Sequence, residues 1–289
     1  MPVIPDSHTD LPSPVTPLRM RSISCSLPTV GSFPPPAERG RRPWQIQPDG
    51  GGSPGAGIDL QLAVLRVLVG PRPRLSCANG TAMRIGIIGS GNIGATLAEL
   101  FVGAGHQVVL ANSRGPETLA PLVERLADGA SAATAEDAAA AGDLVIVSIP
   151  FGRYEQVPAG PLAGKVVVDC NNYYPARDGR WRALDADETT SSELLAQHLP
   201  GARVVKVFNA IHWKHLRDQG RPAGAEGRRA LPIAGDDVSA KATVGRLIDE
   251  LGFDTVDLGP LAEGRRQQPG TEVYNVPLTA EELHGRLEA

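Results

Sequence analysis

A glycine-rich hexapeptide is the part of this sequence whose residue types and spacing are best suited to chemistry. It follows the apolar run Arg84–Ile88 and begins a stretch of helical periodicity, so that it joins a strand to a helix. Its first glycine permits a tight turn, its second lets the backbone approach a pyrophosphate, and its third lets the helix pack on the strand. The first N–H groups of the helix favour an anion, although a glycine-rich turn without a ligand is the alternative. The hexapeptide consists of Gly89, Ser90, Gly91, Asn92, Ile93 and Gly94.

A short polar segment, Asn112, Ser113 and Arg114, follows the next apolar run, Gln107–Ala111. An Asp or Glu at this position would accept hydrogen bonds from a ribose 2′-OH and would repel a 2′-phosphate. Here Ser113 can donate a hydroxyl hydrogen bond, and Arg114 can pair with a phosphate in a charge-assisted contact. The segment therefore predicts NADP(H) as the cofactor. An ordinary solvated arginine is the alternative for Arg114.

Ser148, Ile149 and Pro150 come at the end of the fourth predicted strand, near the point where strand order reverses in a doubly wound sheet. Pro150 fixes the backbone and removes a hydrogen-bond donor, so this turn can form an apolar wall against a nicotinamide or its ribose. A turn that only ends the strand explains the same residues equally well.

Polar and aromatic residues follow the fifth and sixth predicted strands, and both sets should face the same crevice. Amides suit neutral hydrogen bonding to a heterocycle, and aromatic rings supply stacking surface, so these residues could line the pocket of a small-molecule hydride acceptor. Alternatively, Tyr173 and Tyr174 only cover the end of the sheet. The candidate acceptor-side residues are Asn171, Asn172, Asn209 and Ala210.

The elements that position these residues alternate from residue 83 onward, because short Val- and Ile-rich runs are separated by stretches of helical period. Most runs are apolar at consecutive positions, which is expected when helices cover both faces of a sheet. The pattern predicts an α/β fold, a doubly wound, mostly parallel Rossmann sheet with extra C-terminal strands and helices. The predicted strands are residues 84–88, 107–111, 131–133, 144–149, 166–169, 204–208, 231–234 and 255–258.

The predicted helices carry recognisable start and stop signals. Pro116 suits a first helical turn, Thr190 and Glu193 form a capping box, Asp237 can cap the helix after it, and Gly252 suits a left-handed stop. The predicted helices are residues 92–102, 116–126, 136–141, 191–198, 238–250 and 280–287.

Residues 1–82 differ in composition from the rest of the chain. They contain 14 of the 26 prolines and a net charge of +3, against −7 for residues 83–289. Such a segment buries too little apolar surface to offset its ordering entropy, so the sequence predicts a disordered leader before one domain, residues 83–289. We interpret the leader as an upstream extension arising from a wrongly assigned start codon.

Several functional classes are disfavoured. A net negative domain without a basic stripe argues against nucleic-acid binding, and the apolar run 58–69 is too short and too charged to span a bilayer. The three cysteines form no CxxC pair, which predicts a reduced cytoplasm and no structural metal. His212 and His215 lack a carboxylate or cysteine at ligand spacing, so no metal site and no acid–base catalytic residues are predicted.

A homodimer is expected from base rates.

Taken together, the motifs resemble those of the NADP reductases that use the deazaflavin coenzyme F420. The resemblance spans residues 83–261 and implies that hydride passes directly from the nicotinamide to the deazaflavin ring, with positioning as the main catalytic contribution. By position, it implies that Ser90 to Ile93 bind the pyrophosphate, Ser113 and Arg114 the 2′-phosphate, Ile149 and Pro150 the nicotinamide side, and that Asn172, Asn209 and Ala210 border the hydride-transfer site. The supporting motifs are the glycine hexapeptide, residues 112–114 and 148–150, and residues 169–175, 205–209, 233–237 and 259–261.

One departure concerns the acceptor. Residues 169–175 are more polar than the apolar stretch of the established deazaflavin reductases. Another flavin, a small carbonyl compound or an imine therefore remains open as the acceptor, and so does a non-catalytic NADP(H)-binding sensor.

Overall fold

A computed structural model describes residues 82–288, which form one eight-stranded sheet in the order β3-β2-β1-β4-β5-β6-β7-β8. Neighbouring strands are parallel except for β6 and β7, which are antiparallel. This architecture confirms the predicted α/β class, including the extra C-terminal strands. The strands are β1 (Arg84–Ile88), β2 (Gln107–Ala111), β3 (Ala130–Ala132), β4 (Leu144–Val147), β5 (Val166–Asp169), β6 (Arg203–Lys206), β7 (Ala230–Gly235) and β8 (Asp254–Asp257).

Two predicted strands extend two residues too far at their carboxyl ends. The fourth ends at Val147 and not at residue 149, because the N–H of Ile149 donates to the Asn171 side chain and leaves the ladder. The sixth ends at Lys206 and not at residue 208, because Phe208 adopts a left-handed φ of 62° that a strand cannot contain. Both chain reversals lie at the edge of the sheet where the candidate residues gather.

Helices flank the strands on both faces. The six predicted helices are present, although the predicted helix 116–126 begins as a 3-10 turn over Pro116–Leu119, and the short α4, α5 and α7 were not predicted. The helices are α1 (Asn92–Ala104), α2 (Ala120–Leu126), α3 (Ala135–Ala141), α4 (Pro175–Asp178), α5 (Arg182–Asp185), α6 (Ser191–His198), α7 (Trp213–Asp218), α8 (Val238–Glu250) and α9 (Ala280–Glu288).

Successive strand residues enter two different hydrophobic clusters. Leu144 and Ile146 pack with α1 and α8 side chains such as Phe101, whereas Val145 and Val147 pack with α6 and the segment that follows β4. The sheet is therefore buried on both faces, which explains why its strands are apolar at consecutive positions.

Within residues 82–288, no helix is long and apolar enough to cross a membrane. The predicted leader and the apolar run 58–69 lie outside the described residues.

The start of α6 confirms the predicted capping box. The Thr190 hydroxyl accepts a hydrogen bond from the Glu193 N–H at 3.1 Å, and the Glu193 carboxylate accepts one from the Thr190 N–H at 2.8 Å. Asp237 likewise caps α8, and Gly252 adopts a left-handed φ of 91°, both as predicted.

We expect Thr190→Val, which keeps the shape of the side chain and removes its hydroxyl, to lower the free energy of unfolding by about 1 kcal/mol, because one helical N–H loses its acceptor. Thr190→Ser keeps the capping oxygen and should cost less. Urea denaturation of both variants measures the difference. A larger loss for the serine variant than for the valine variant would contradict the capping role.

Candidate functional site

The carboxyl ends of β1, β2 and β4 enclose a cleft of about 300 Å³. It lies beside the boundary between β1 and β4, where the strand order reverses, which is the usual ligand position in doubly wound sheets. The lining includes nine predicted cofactor-binding residues: Gly89, Ser90, Gly91, Asn112, Ser113, Arg114, Ser148, Ile149 and Pro150. Of the other predicted cofactor-binding residues, Asn92, Ile93 and Gly94 form the first turn of α1 and are not part of this lining.

Glycine is required at two positions, one in the loop after β1 and one in the first turn of α1. Gly89 has a φ of 111°, and a Cβ there would lie 2.0 Å from the carbonyl oxygen of Ser148. At Gly94, a Cβ would lie 1.9 Å from the carbonyl oxygen of Gly89. Both side chains are excluded by backbone, so these glycines allow the loop after β1 to contact both α1 and the loop after β4.

The N-terminus of α1 is open toward the cleft. Gly91 is its N-cap, no side chain caps the helix, and a Cβ on Gly91 would meet no atom within 4 Å. The first helical N–H groups therefore have no side-chain acceptor, and the space before them is unobstructed. An anionic group such as a pyrophosphate suits this position.

Asn112 connects the loop after β2 to the glycine loop. Its Nδ2 donates to the Ser90 hydroxyl at 3.3 Å and to the Thr118 hydroxyl at 2.9 Å, while its Oδ1 accepts from the Arg114 N–H at 2.8 Å. These contacts fix the backbone under Ser113 and Arg114. Both side chains are exposed, and the Arg114 guanidinium has no hydrogen bond or ion pair within residues 82–288.

The segment after β4 contributes cleft residues that the sequence did not indicate. A 3-10 helix over Phe151–Gln156 follows Pro150, and its Arg153 and Gln156 line the cleft with the neighbouring Val157. Their spacing of three residues matches one face of a 3-10 helix, which is the signal that could have identified them. Ile88, the last residue of β1, and Ala135, at the start of α3, complete the lining.

The predicted acceptor-side residues are not part of this lining; they follow the adjacent strands β5 and β6. Asn171, Asn209 and Ala210 are buried, and Asn172 is half-buried. Asn172 and Asn209 bind each other, because the Asn172 amide donates to the Asn209 carbonyl at 2.9 Å and the Asn209 amide donates to the Asn172 side chain at 3.1 Å. The structure therefore brings together the asparagines of two loops that are 37 residues apart in sequence.

The C-terminal segment closes this amide pair from one side. The Asn209 amide donates to the Gln267 carbonyl at 2.8 Å, and the Asn172 amide donates to the Tyr274 hydroxyl at 3.3 Å. The Tyr274 and Tyr174 hydroxyls share a hydrogen bond at 2.6 Å. Burial raises the pKa of Tyr274, with a further contribution from Tyr174, so the Tyr274 phenol stays protonated at neutral pH. Neither Gln267 nor Tyr274 was identified from the sequence.

Tyr173 faces away from the amide pair. Its ring packs edge-on against Phe151 with 5.8 Å between centroids, and its hydroxyl donates to the Gly179 carbonyl and to Asp185. These contacts favour the covering role that was one of the two alternatives for the tyrosines. Cys170 is buried, and burial together with Asp169 raises the pKa of its thiol, so it is not poised as a nucleophile.

A buried ion pair fixes the loop after β5 and, through it, the loop after β4. Lys206 and Asp169 are 0% and 1% exposed, and their charged atoms are 3.1 Å apart. The Asp169 carboxylate also accepts hydrogen bonds from the Ser192 hydroxyl at 2.7 Å and from the Asn171 N–H at 2.9 Å, and Lys206 donates to the Asn171 carbonyl. Asn171 in turn accepts from the Ile149 N–H at 2.8 Å. This chain of contacts ties the loop after β5 to the loop after β4.

The two histidines have structural roles. His212 is the N-cap of α7 and accepts from the Lys214 N–H at 3.3 Å, and His215 lies 3.4 Å from the Arg229 guanidinium. In the described part of the chain, no group of three or more His, Cys, Asp and Glu side chains is close enough to hold a metal ion.

Comparisons with known proteins agree with this geometry. The family described as NADP oxidoreductase, coenzyme F420-dependent, matches residues 84–173. The hypothetical protein SMa0349 of Sinorhizobium meliloti is 34% identical, with a TM-score of 0.60, over 69% of this chain and 96% of that protein. A candidate F420-dependent NADP reductase of Arthrobacter sp. FB24 is 30% identical, with a TM-score of 0.55, over 64% of this chain and 88% of that protein.

A curated relative is similar over a smaller share of its length. The metalloreductase STEAP3 of Rattus norvegicus is 33% identical over 199 residues, which is 68% of this chain. The chain spans about 37% of the length of that relative.

We expect Lys206→Met to destabilise the fold by about 3 to 5 kcal/mol, because it leaves the Asp169 charge buried without its partner. The matched double variant, Lys206→Met with Asp169→Asn, removes both charges and should recover a large part of the loss. Thermal or urea unfolding of the two variants measures this difference. A double variant less stable than Lys206→Met alone would contradict the charge argument.

Proposed function

Because the chain belongs to the family of coenzyme F420-dependent NADP oxidoreductases, we propose that it transfers a hydride between the nicotinamide of NADP(H) and coenzyme F420 or a similar small acceptor. The observation that carries this proposal is the joint position of the open α1 N-terminus, the exposed Ser113 and Arg114, and the Pro150 turn around one cleft. These three features match the pyrophosphate, the 2′-phosphate and the nicotinamide end of one dinucleotide.

Each group of the dinucleotide has a partner of suitable chemistry in this arrangement. The first N–H groups of α1 bind the pyrophosphate, and the loop bearing Gly91 excludes no part of it. Arg114 neutralises the 2′-phosphate, and Ser113 donates to it. Ile149 and Pro150 present an apolar surface to one face of the nicotinamide ring, which leaves the other face for the acceptor.

The catalytic contribution of the chain is positioning. When bound, NADPH supplies the hydride, and a direct transfer to a ring acceptor needs close, oriented contact more than it needs an acid–base pair. The Asn171 side chain fixes the Ile149 backbone, and the buried Asp169 fixes the Asn171 backbone. These contacts hold the nicotinamide wall in place, and the proton that the acceptor takes up together with the hydride comes from solvent.

The acceptor side is polar and uncharged at its centre. Asn172, Asn209 and the paired tyrosines offer neutral donors and acceptors, as a heterocycle with carbonyl and N–H groups would require. In residues 82–288, the buried amide atoms Asn171 Nδ2 and Asn209 Oδ1 have no hydrogen-bond partner. The neutral amides and phenols support a deazaflavin, another flavin or a small carbonyl or imine compound as the acceptor.

We also propose that the enzyme works in a reduced cytoplasm and as a homodimer. The three cysteines form no CxxC motif, which supports the compartment, and base rates for small oxidoreductases support the dimer.

We expect the protein with NADPH and oxidised coenzyme F420 to bleach the visible absorbance of the deazaflavin. Gly91→Asp is the matched inactive variant: a Cβ there meets no atom within 4 Å, so the fold should persist, but the carboxylate would repel the pyrophosphate. Gly91→Ala controls for the loss of glycine. Nucleotide binding without turnover of any deazaflavin, flavin, carbonyl or imine compound would instead favour a non-catalytic NADP(H) sensor.

We expect Arg114→Asp to weaken NADPH binding by about 10- to 100-fold, because a charge-assisted contact worth roughly 1.5 to 3 kcal/mol is lost and a repulsive charge is added. The new carboxylate could accept from a 2′-OH, so NADH binding should hold or improve. Calorimetric titration of both nucleotides measures the change. Unchanged affinity for both nucleotides would place the selection elsewhere.

A further inference from the structure

Arg153 is a cation without a role in the proposed reaction. It lines the same cleft as Arg114, from the 3-10 helix after β4. Its side chain is exposed and makes no hydrogen bond or ion pair with any residue of the described range 82–288. An arginine on an ordinary surface often lacks a partner, so the missing partner alone does not indicate that Arg153 binds a ligand.

The aromatic residues around Arg153 pack against one another. Phe151 and Tyr154 stack with 4.9 Å between ring centroids, and Trp181 packs edge-on against both rings. Both Phe151 and Tyr154 are buried, whereas Arg153 lies between them in sequence and faces the cleft. Its N–H donates to the Pro150 carbonyl at 3.0 Å, so its backbone is fixed to the turn that follows β4.

The charge balance of the cleft points to an anion. Of the lining residues in the described part of the chain, Arg114 and Arg153 are cationic and none is acidic. Two unpaired cations that face one cavity repel each other unless an anion occupies the space between them. The pyrophosphate already has the α1 N-terminus, whereas a phosphate monoester carries a charge of about −1.5 to −2 at neutral pH, more than one arginine neutralises.

We infer that Arg153 is a second cation for the 2′-phosphate and shares the selection of NADP(H) over NAD(H) with Arg114. This inference rests on the proposed function, because it concerns the same cleft and cofactor. Arg114 approaches the phosphate from the loop after β2, and Arg153 approaches it from the segment after β4. The two guanidinium groups thus connect the loops on both sides of the glycine turn through the ligand.

The experiment compares four ligands by calorimetric titration: NADPH, NADH, adenosine 2′,5′-bisphosphate and adenosine 5′-monophosphate. The variants are Arg153→Gln, Arg114→Gln, their combination, and Arg246→Gln as the matched control. Arg246 is an exposed arginine on α8 that does not line the cleft. Glutamine keeps a polar side chain of similar length and removes the charge.

We expect Arg153→Gln to weaken NADPH and adenosine 2′,5′-bisphosphate by about tenfold or more and to leave NADH and adenosine 5′-monophosphate within about twofold. Because both arginines act on one phosphate, their effects should couple in the double variant. Arg246→Gln should bind all four ligands as the unmodified chain does.

Two results would overturn the inference while the proposed function stands. An Arg153→Gln variant that behaves like Arg246→Gln would show that Arg153 is an ordinary solvated side chain. Equal weakening of NADPH and NADH would show that it contacts the adenine or the pyrophosphate and does not read the 2′-phosphate. If the unmodified chain binds none of the four ligands, the proposed function fails, and this inference fails with it.

Discussion

The contact between the loop after β1 and the loop after β4 is the constraint on which the cleft depends. The space at Gly89 is so limited that a Cβ would reach within 2.0 Å of the Ser148 carbonyl oxygen and 3.0 Å of the Ile149 side chain. Only a glycine with a left-handed φ brings the two loops this close. The neighbouring parallel strands β1 and β4 then deliver the α1 N-terminus and the Pro150 turn to opposite sides of one cleft.

A second set of contacts, from the ends of the neighbouring strands β5 and β6, keeps the loop after β4 in place. The Lys206 and Asp169 pair is costly to bury, since charges lose their hydration, and a pair of apolar side chains could fill the same volume at less cost. The pair fixes the backbone of Asn171, which apolar residues could not do, because Asp169 accepts from its N–H and Lys206 donates to its carbonyl. Asn171 is thereby held to orient the Ile149 backbone, which has no strand partner at this point.

Much of the fold could be predicted because it depends on local sequence. Consecutive apolar residues identified the internal strands, and the Thr190 capping box and Gly252 marked helix ends, all of which are properties of a few adjacent residues. The same holds for the Gly89 turn and for Arg114, whose positions follow directly from the ends of β1 and β2.

What the sequence did not reveal depends on contacts between distant residues. Lys206 and Asp169 are 37 positions apart, and the hydroxyls of Tyr174 and Tyr274 meet across 100 positions. A lysine in an apolar strand and a tyrosine in a C-terminal coil carry no local mark of such partners. Arg153 was missed for a different reason, because the 3-10 helix Phe151–Gln156 that carries it is only six residues long and leaves little periodic signal in the sequence.

The cleft and the neighbouring amide network differ in chemistry, because the cleft has cationic side chains and the network has neutral ones. The cleft beside the glycine loop is lined by backbone and by two arginines, and in the proposed function these cations would read a 2′-phosphate by charge. The acceptor end uses amides and phenols that already bind one another, so a ligand must replace or complete hydrogen bonds that differ little in energy from those present. Under the proposed function, charge would select among nucleotides, whereas a neutral amide network would discriminate among acceptors mainly by shape.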